Sequence, residues 1–313
     1  MSTGGQGSKD HRKSALIAGI AAFSFWGLVP VYWKLLQKVP ASEIIAHRFV
    51  WTTACLVALL TFQRRWSEVA GNARSRRTAI YCFISGLMIA INWLVFIWAV
   101  NIGRVIETSL GYFMTPLVNV LLGAIVLRER LTRVQLISVV LAAAAVLYLT
   151  FGYGRFPWIA LTLCVTFGMY GFLRKQSGTG SIPGLFLETT LLVPIAFVYL
   201  IALHRDGTLV FSHGDQTLTF LLITTGVITT VPLLWFGHAA RYLRLTTLGF
   251  LQYLSPSSTF FLGIFLYHEP FTLAHLIAFS LIWIALALFT WDAVARWHSA
   301  RAGDAVSPPA APA

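Results

Sequence analysis

Polar positions in this chain come in short breaks between long apolar runs. Ten runs stand out, at roughly 15–36, 44–62, 78–100, 106–127, 134–151, 157–173, 185–203, 217–239, 246–266 and 273–293. A helix that crosses a bilayer needs about 20 mostly apolar residues, whereas membrane strands are roughly 9–11 residues of strict alternation. These runs are continuous rather than alternating. A helix also satisfies its own backbone in lipid, where water cannot. The pattern therefore predicts an all-α integral membrane protein with ten transmembrane helices. The shortest run, the sixth, opens on Pro157, a residue tolerated in a helix's first turn. The breaks are too short for a soluble domain. Residues 1–13 and 294–313, the latter ending SPPAAPA, read as disordered tails around two halves, 14–151 and 155–293.

Composition points the same way. Hydrophobic residues make up 57% of the chain and charged ones 11%, against roughly 45–50% and about 25% in soluble domains. The first run follows Lys9, Arg12 and Lys13 as a signal peptide would, but a signal peptide's apolar core is only about 7–15 residues. It reads as a retained first span.

The net charge of +12 is a matter of topology rather than nucleic acid, because no dense basic stripe is interleaved with aromatics. With the amino terminus in the cytoplasm, the cytoplasmic segments hold Lys9, Arg12, Lys13, Arg64, Arg65, Arg74, Arg76, Arg77, Arg128, Arg130, Arg133, Arg174, Lys175, Arg241, Arg244, Arg296 and Arg301. The outer segments hold Lys38, Arg104, Arg155 and Arg205. Seventeen against four is the bias expected of cytoplasmic loops. It places both termini in the cytoplasm, and the plasma membrane is the expected location.

The chain also repeats itself. Shifted by 140 positions, RVIETSLGYFMTPLVNVLLGAIVLRE (104–129) aligns with RLTTLGFLQYLSPSSTFFLGIFLYHE (244–269): Arg104 meets Arg244, Pro116 meets Pro256, Leu122–Gly123 meets Leu262–Gly263, and Glu129 meets Glu269. Gly27 and Lys34 meet Gly168 and Lys175 at an offset of 141. Five spans separate the copies, so they run in opposite directions. Inverted repeats recur in secondary transporters, with the substrate site at the repeat interface. Pro116, Pro194, Pro232 and Pro256 lie inside spans, where each frees backbone carbonyls or bends a helix.

The fragments FWGLVPVYWK, the His47–Arg48 pair, INWLVFIWAVN, ETSLGYFMTPLVNVLLG followed by LRERL, and TTLGFLQYLSP resemble the RarD type of permease in the EamA family of the drug/metabolite transporter superfamily. The resemblance implies two inverted five-helix EamA repeats and permease activity. It also suggests the chloramphenicol-type substrates after which members are labelled. Glu129 and Glu269 match the glutamate of the repeat's GE signature, but the glycine before it is Arg128 in one copy and His268 in the other. That departure speaks against a tight functional turn there.

Ionisable residues inside spans are costly and mark pathways. Lys34, His47, Arg48, Glu107 and Glu188 are candidates for gating or coupling, with Glu43 one turn from His47. An ion pair of Arg48 or Lys34 with Glu107 is expected at an outer gate. Glu188, within reach of Arg174 or Lys175, is expected at an inner one. His47 and Glu188 are the candidates for proton coupling. Snorkelling to the headgroups is the bland alternative. Nearer the bilayer middle, Trp26, Asn92, Trp93, Tyr112, Asn119, Tyr170, Trp235, Gln252 and Tyr253 combine aromatic surface with uncharged hydrogen-bonding groups, as a pocket for small organic molecules would. Helix packing is the competing explanation for each aromatic. Thr132 and Thr272 could cap helices, and a structural role suits Glu129 and Glu269.

Other functions fit less well. GxSxG, HExxH, P-loop and CxxC motifs are absent, and the acids and histidines are split between the two membrane faces, so neither an intramembrane enzyme nor a cofactor is indicated. Cys55, Cys82 and Cys164 read as small apolar residues, not metal ligands. A facilitative channel is the nearer rival. The expected partners are a small-molecule substrate and the lipid bilayer, with the chain a monomer or homodimer and no nucleic acid involved.

Overall fold

In a computed structural model of the protein, residues 4–126, 128, 131–152, 154–211, 215–243, 248 and 251–306 are described. Glu129 and Arg244, matched in sequence to Glu269 and Arg104, lie outside them, as do 1–3 and 307–313. The described secondary structure is helical. The helices are α1 (Gly4–Leu35), α2 (Ala41–Phe62), α3 (Trp66–Arg74), α4 (Arg76–Asn101), α5 (Val105–Val126) and α6 (Arg133–Leu147, running into a π-turn at Tyr148–Gly152). After them come α7 (Trp158–Ser177), α8 (Ser181–Arg205), α9 (Gln216–Tyr242), α10 (Leu254–Phe261, with a π-turn at Leu262–Leu266) and α11 (Leu273–Val306).

Among the described residues, eight helices are long and apolar enough to cross a membrane. Two of the ten expected spans fall outside that set. The twenty-residue α7 ends in the polar turn Arg174–Lys175–Gln176, and the apolar helix at Leu254–Leu266 is short and holds Ser255, Ser257 and Ser258. The tails differ from expectation too. Helix continues from the first span back to Gly4 and from the last on to Val306. Alanine and arginine propagate a helix readily, and the prolines that would stop it come only at Pro308 and Pro309. The short α3 went unread, because nine mostly polar residues give no apolar run. Buried Val69 and an edge-to-face contact of Trp66 with Phe186, at 5.3 Å, hold it against α8.

The chain divides into two compact units, with the boundary in α5 falling at Pro116. The first holds residues 1–115 and 158–270. Within it α1 packs on α9 and α10, α2 on α8 and α9, and α4 on α7 and α8. Its core includes Trp33, Leu36, Ile44, Phe49, Phe96, Ile97, Ile159, Leu163 and Leu222. Two contacts depend on glycine. A Cβ on Gly226 of α9 would overlap the Trp51 carbonyl of α2, and one on Gly27 of α1 would sit 2.9 Å from the Ser255 carbonyl oxygen. Small residues let backbones approach this closely in membrane bundles.

The second unit holds residues 116–157 and 271–313, with α6 packed on α11. Thr132 opens α6 with a reciprocal capping box: Gln135 N–H donates to Thr132 Oγ1 at 3.1 Å, and Thr132 N–H to Gln135 Oε1 at 3.0 Å. At α11, His275 N–H reaches Thr272 Oγ1 at 3.5 Å and Thr272 N–H reaches His275 Nδ1 at 3.3 Å.

Candidate functional site

The candidate residues of the first unit fall into several clusters. At the start of α2, Glu43 is fully buried and accepts the Val210 and Phe211 N–H groups, each at 3.0 Å. Two main-chain donors suit a buried carboxylate, whose lone pairs would otherwise go unmet. One turn on, His47 Nε2 stands 3.9 Å from Glu43 Oε1, and its ring lies against Phe211 with centroids 4.5 Å apart.

The next residue, Arg48, points its charge into an aromatic wall. Its guanidinium carbon lies 3.5 Å from the Trp93 ring centroid and 5.1 Å from that of Trp33. Its Nε donates to Thr229 Oγ1 at 2.9 Å, and Thr229 in turn donates to the Thr225 carbonyl. Nearby, the Tyr32 hydroxyl bonds the Leu221 carbonyl and Thr224 Oγ1 of α9. Thr225 and Thr229 are one turn apart, within two Thr–Thr pairs that interrupt an apolar run. That signal was available in the sequence and would have marked α9 as the face opposite Arg48.

Asn92 knots three helices. It is fully buried, donates to the Leu163 carbonyl and Thr166 Oγ1 of α7, both at 2.9 Å, and accepts from the Tyr112 hydroxyl of α5 at 2.8 Å. Tyr112 packs edge-to-face on Phe96 and Phe167. Adjacent in sequence, Asn92 and Trp93 thus serve different neighbours: Asn92 is satisfied by protein groups, and Trp93 faces Arg48. A separate aromatic group surrounds Trp26, with Phe23 and Phe236 at 5.4 and 5.8 Å. Trp235 meets Phe25, Tyr253 stacks on Phe113, and Gln252 is half-buried.

Glu188 of α8 is also fully buried. Ser85 Oγ donates to its Oε1 at 2.6 Å, and the Tyr170 hydroxyl and Arg174 Nη1 approach its two oxygens at 3.4 Å each. Arg174 also reaches Thr179 Oγ1 and the Gly180 and Ser181 carbonyls, with Gly184 leaving the room it occupies.

Glu107 pairs with Arg104 at 2.8 Å, not with Arg48 or Lys34 as expected. The i,i+3 spacing within one helix turn brings Arg104 to it without any tertiary rearrangement. Lys34 Nζ instead reaches the Asn101 carbonyl at 3.4 Å and lies over the Tyr267 ring. Glu269 clamps the start of α5, accepting the Val105 and Ile106 N–H groups at 2.6 and 2.9 Å. A carboxylate on free N–H groups at a helix start is favourable on both hydrogen-bond and dipole grounds. Burial raises the Glu269 carboxyl above its ordinary range, against the pull of those two N–H groups and of Lys34. A tight turn does precede it: His268 has φ +49° and Arg128 has φ +56°, the left-handed region glycine normally fills. The departure from the GE signature changed the residue and kept the conformation.

The comparisons fit this geometry. The EamA-like transporter family matches residues 13–151. The uncharacterized transporter YojE of Bacillus subtilis (strain 168) is 42% identical over 92% of this chain and 97% of its own. Protein RarD of Escherichia coli (strain K12) is 41% identical with the same coverage. The chain belongs to the EamA family as a RarD-type permease. A crystal structure of a protein 19% identical in sequence superposes with a TM-score of 0.56, covering 89% of this chain and 97% of its own, a likeness of fold alone. Membership of the EamA family makes this a multi-pass membrane transporter of small molecules. The described residues hold no group of histidines, cysteines and acids placed to bind a metal, and Cys55, Cys82 and Cys164 are free thiols.

Proposed function

We propose that the chain carries a small organic metabolite or drug across the plasma membrane by alternating access between two inverted five-helix repeats. In this reading it is an exporter, without enzymatic activity, with chloramphenicol-type molecules in its range and both termini cytoplasmic. The observation that carries the reading is a symmetry of packing. Exchanging the halves turns α1, α2, α4, α5 and α6 into α7, α8, α9, α10 and α11. Under that exchange the α4–α7 contact becomes α9–α1, α2–α9 becomes α8–α4, and α2–α8 and α6–α11 map onto themselves. The contact of α1 with α10 at Gly27 and Ser255 becomes that of α7 with α5, where Gly111 meets the Ala160 carbonyl. Left-handed backbone at Arg128 and His268, and reciprocal capping at Thr132–Gln135 and Thr272–His275, repeat at an offset of 140.

Two such halves have similar energies whichever side is open, the physical basis of alternating access. Ser85, Tyr170, Arg174 and Glu188 form the inner gate, and Arg104 with Glu107 the outer one. Trp26, Trp93, Tyr112, Trp235, Gln252 and Tyr253 line the path, with Asn92 fixing α4 against α7. Reconstitution into proteoliposomes tests the reading. Amphenicols, amino acids, nucleosides and carboxylates are first ranked by thermal stabilisation, since a ligand at a hundred times its dissociation constant adds about 2.7 kcal/mol. The leading compound is then assayed for flux. Saturable uptake with counterflow is expected. Linear flux without counterflow would identify a channel instead.

A further inference from the structure

Among the described residues, Arg48 is a buried cation without a counter-ion. Its residue surface is 8% exposed, and it lies at the seam where α2 meets α9 and α4. Of its five N–H donors only the one on Nε makes a described hydrogen bond, to Thr229. Among the described residues no carboxylate comes within ion-pair distance of it. The acids of this unit are engaged elsewhere: buried Glu43 with Val210 and Phe211, buried Glu188 with Ser85 and Arg174, and half-buried Glu269 with Val105 and Ile106. The adjoining Trp33 also has a buried indole N–H with no acceptor. Buried charges in proteins are paired, and buried donors are bonded. Trp33 Nε1 departs from the second rule, and beside it Arg48 has no described acid and no described hydrogen bond to Nη1 or Nη2.

We infer that Arg48 receives the carboxylate of an organic anion, and that the substrates of this permease are small monocarboxylates with an apolar or aromatic body. The inference rests on the transporter reading and names its substrate class. The two terminal nitrogens form the planar fork that matches a carboxylate with two parallel hydrogen bonds. Stacking on Trp93 and the bond to Thr229 hold the fork in one orientation, so little freedom is lost when the anion arrives. Half-buried Trp93, backed by the core residues Trp33 and Phe49, offers apolar surface beside the fork for the rest of the molecule. The anion removes the unpaired charge, which is the source of selectivity against neutral isosteres.

The experiment uses matched pairs: benzoate with benzamide, phenylacetate with phenylacetamide, and N-acetylphenylalanine with its amide. Binding to the purified full chain is followed by melting temperature and by tryptophan fluorescence, up to millimolar concentrations, with inorganic phosphate as a further arm. At least one carboxylate should bind about tenfold or more tightly than its amide, the range expected for charge-assisted hydrogen bonds. Arg48→Lys keeps the charge and loses the fork, and should weaken that carboxylate by a similar factor. Arg48→Met should abolish the discrimination. Equal binding of acids and amides, no carboxylate binding in the wild type, or unchanged binding in Arg48→Met overturns the inference. Preference for phosphate over every carboxylate overturns the carboxylate class. Saturable, Arg48-independent flux of a neutral compound would sink the anion site and leave the transporter standing. Arg48-dependent carboxylate binding without saturable flux would do the reverse.

Discussion

Glu188 and Arg48 are both buried charges in the same helical unit, and they are held in opposite ways. Glu188 has a cation, a serine and a tyrosine around its two oxygens. Arg48 has one threonine and two tryptophan faces and, among the described residues, no acid. A charge with its partners already in place ties helices together, here α4, α7 and α8. A charge without them is left ready for something that arrives. The difference separates a latch from a receptor within one bundle.

Two substitutions test that contrast and two more probe the turn and clamp at Glu269, the largest effect first. Glu188→Ala leaves Arg174 among backbone carbonyls without its acid. Removing one partner of a buried pair costs about 3 kcal/mol or more, so its melting temperature should fall well below the wild type. Arg48→Met, of similar volume, removes a charge that had no acid to lose, and should melt near or above the wild type while transport is lost. If the two variants melt alike, the contrast fails. Next, Glu269→Gln keeps the shape but drops one acceptor and the charge at the start of α5. A loss of about 1 kcal/mol is expected, as for other helix N-terminal caps, read from the same melting series. Wild-type stability in that variant would mean the clamp is incidental. The smallest effect should come from His268→Gly. It relieves a left-handed backbone disfavoured by roughly 1 kcal/mol, so a slightly higher melting temperature is expected. A decrease would show that the His268 side chain is needed.

Much of the fold was legible because lipid leaves few options: a long apolar run must be a helix, and its length marks its ends. Legibility failed where polarity was local. The nine residues of α3 have no apolar run, and the stretch at Leu254–Leu266 carries three serines in its first turns. For the site, the side chains that the sequence singles out can be placed, but some of their expected partners differ. Opposite charges on the same membrane face suggest Arg48 or Lys34 as the partner of Glu107, but Arg104 sits one turn from Glu107 and pairs with it. That Arg48 would meet Thr229 depends on the packing of α2 against α9, 181 positions apart in the chain, which no local pattern encodes. The turn at His268 shows the converse. Its sequence argued against a conformation that the clamp at Glu269 nonetheless enforces.

The contact between Gly226 and the Trp51 carbonyl has a mechanical consequence. Where two helices interlock through side chains, each ridge sits in a groove and sliding or turning must lift it out. Where main chain rests on main chain, there are no teeth. Such a junction resists compression more than sliding or rotation, so at this contact α2 and α9 meet at a bearing. An alanine at position 226 would push the two shafts apart before it altered any chemistry.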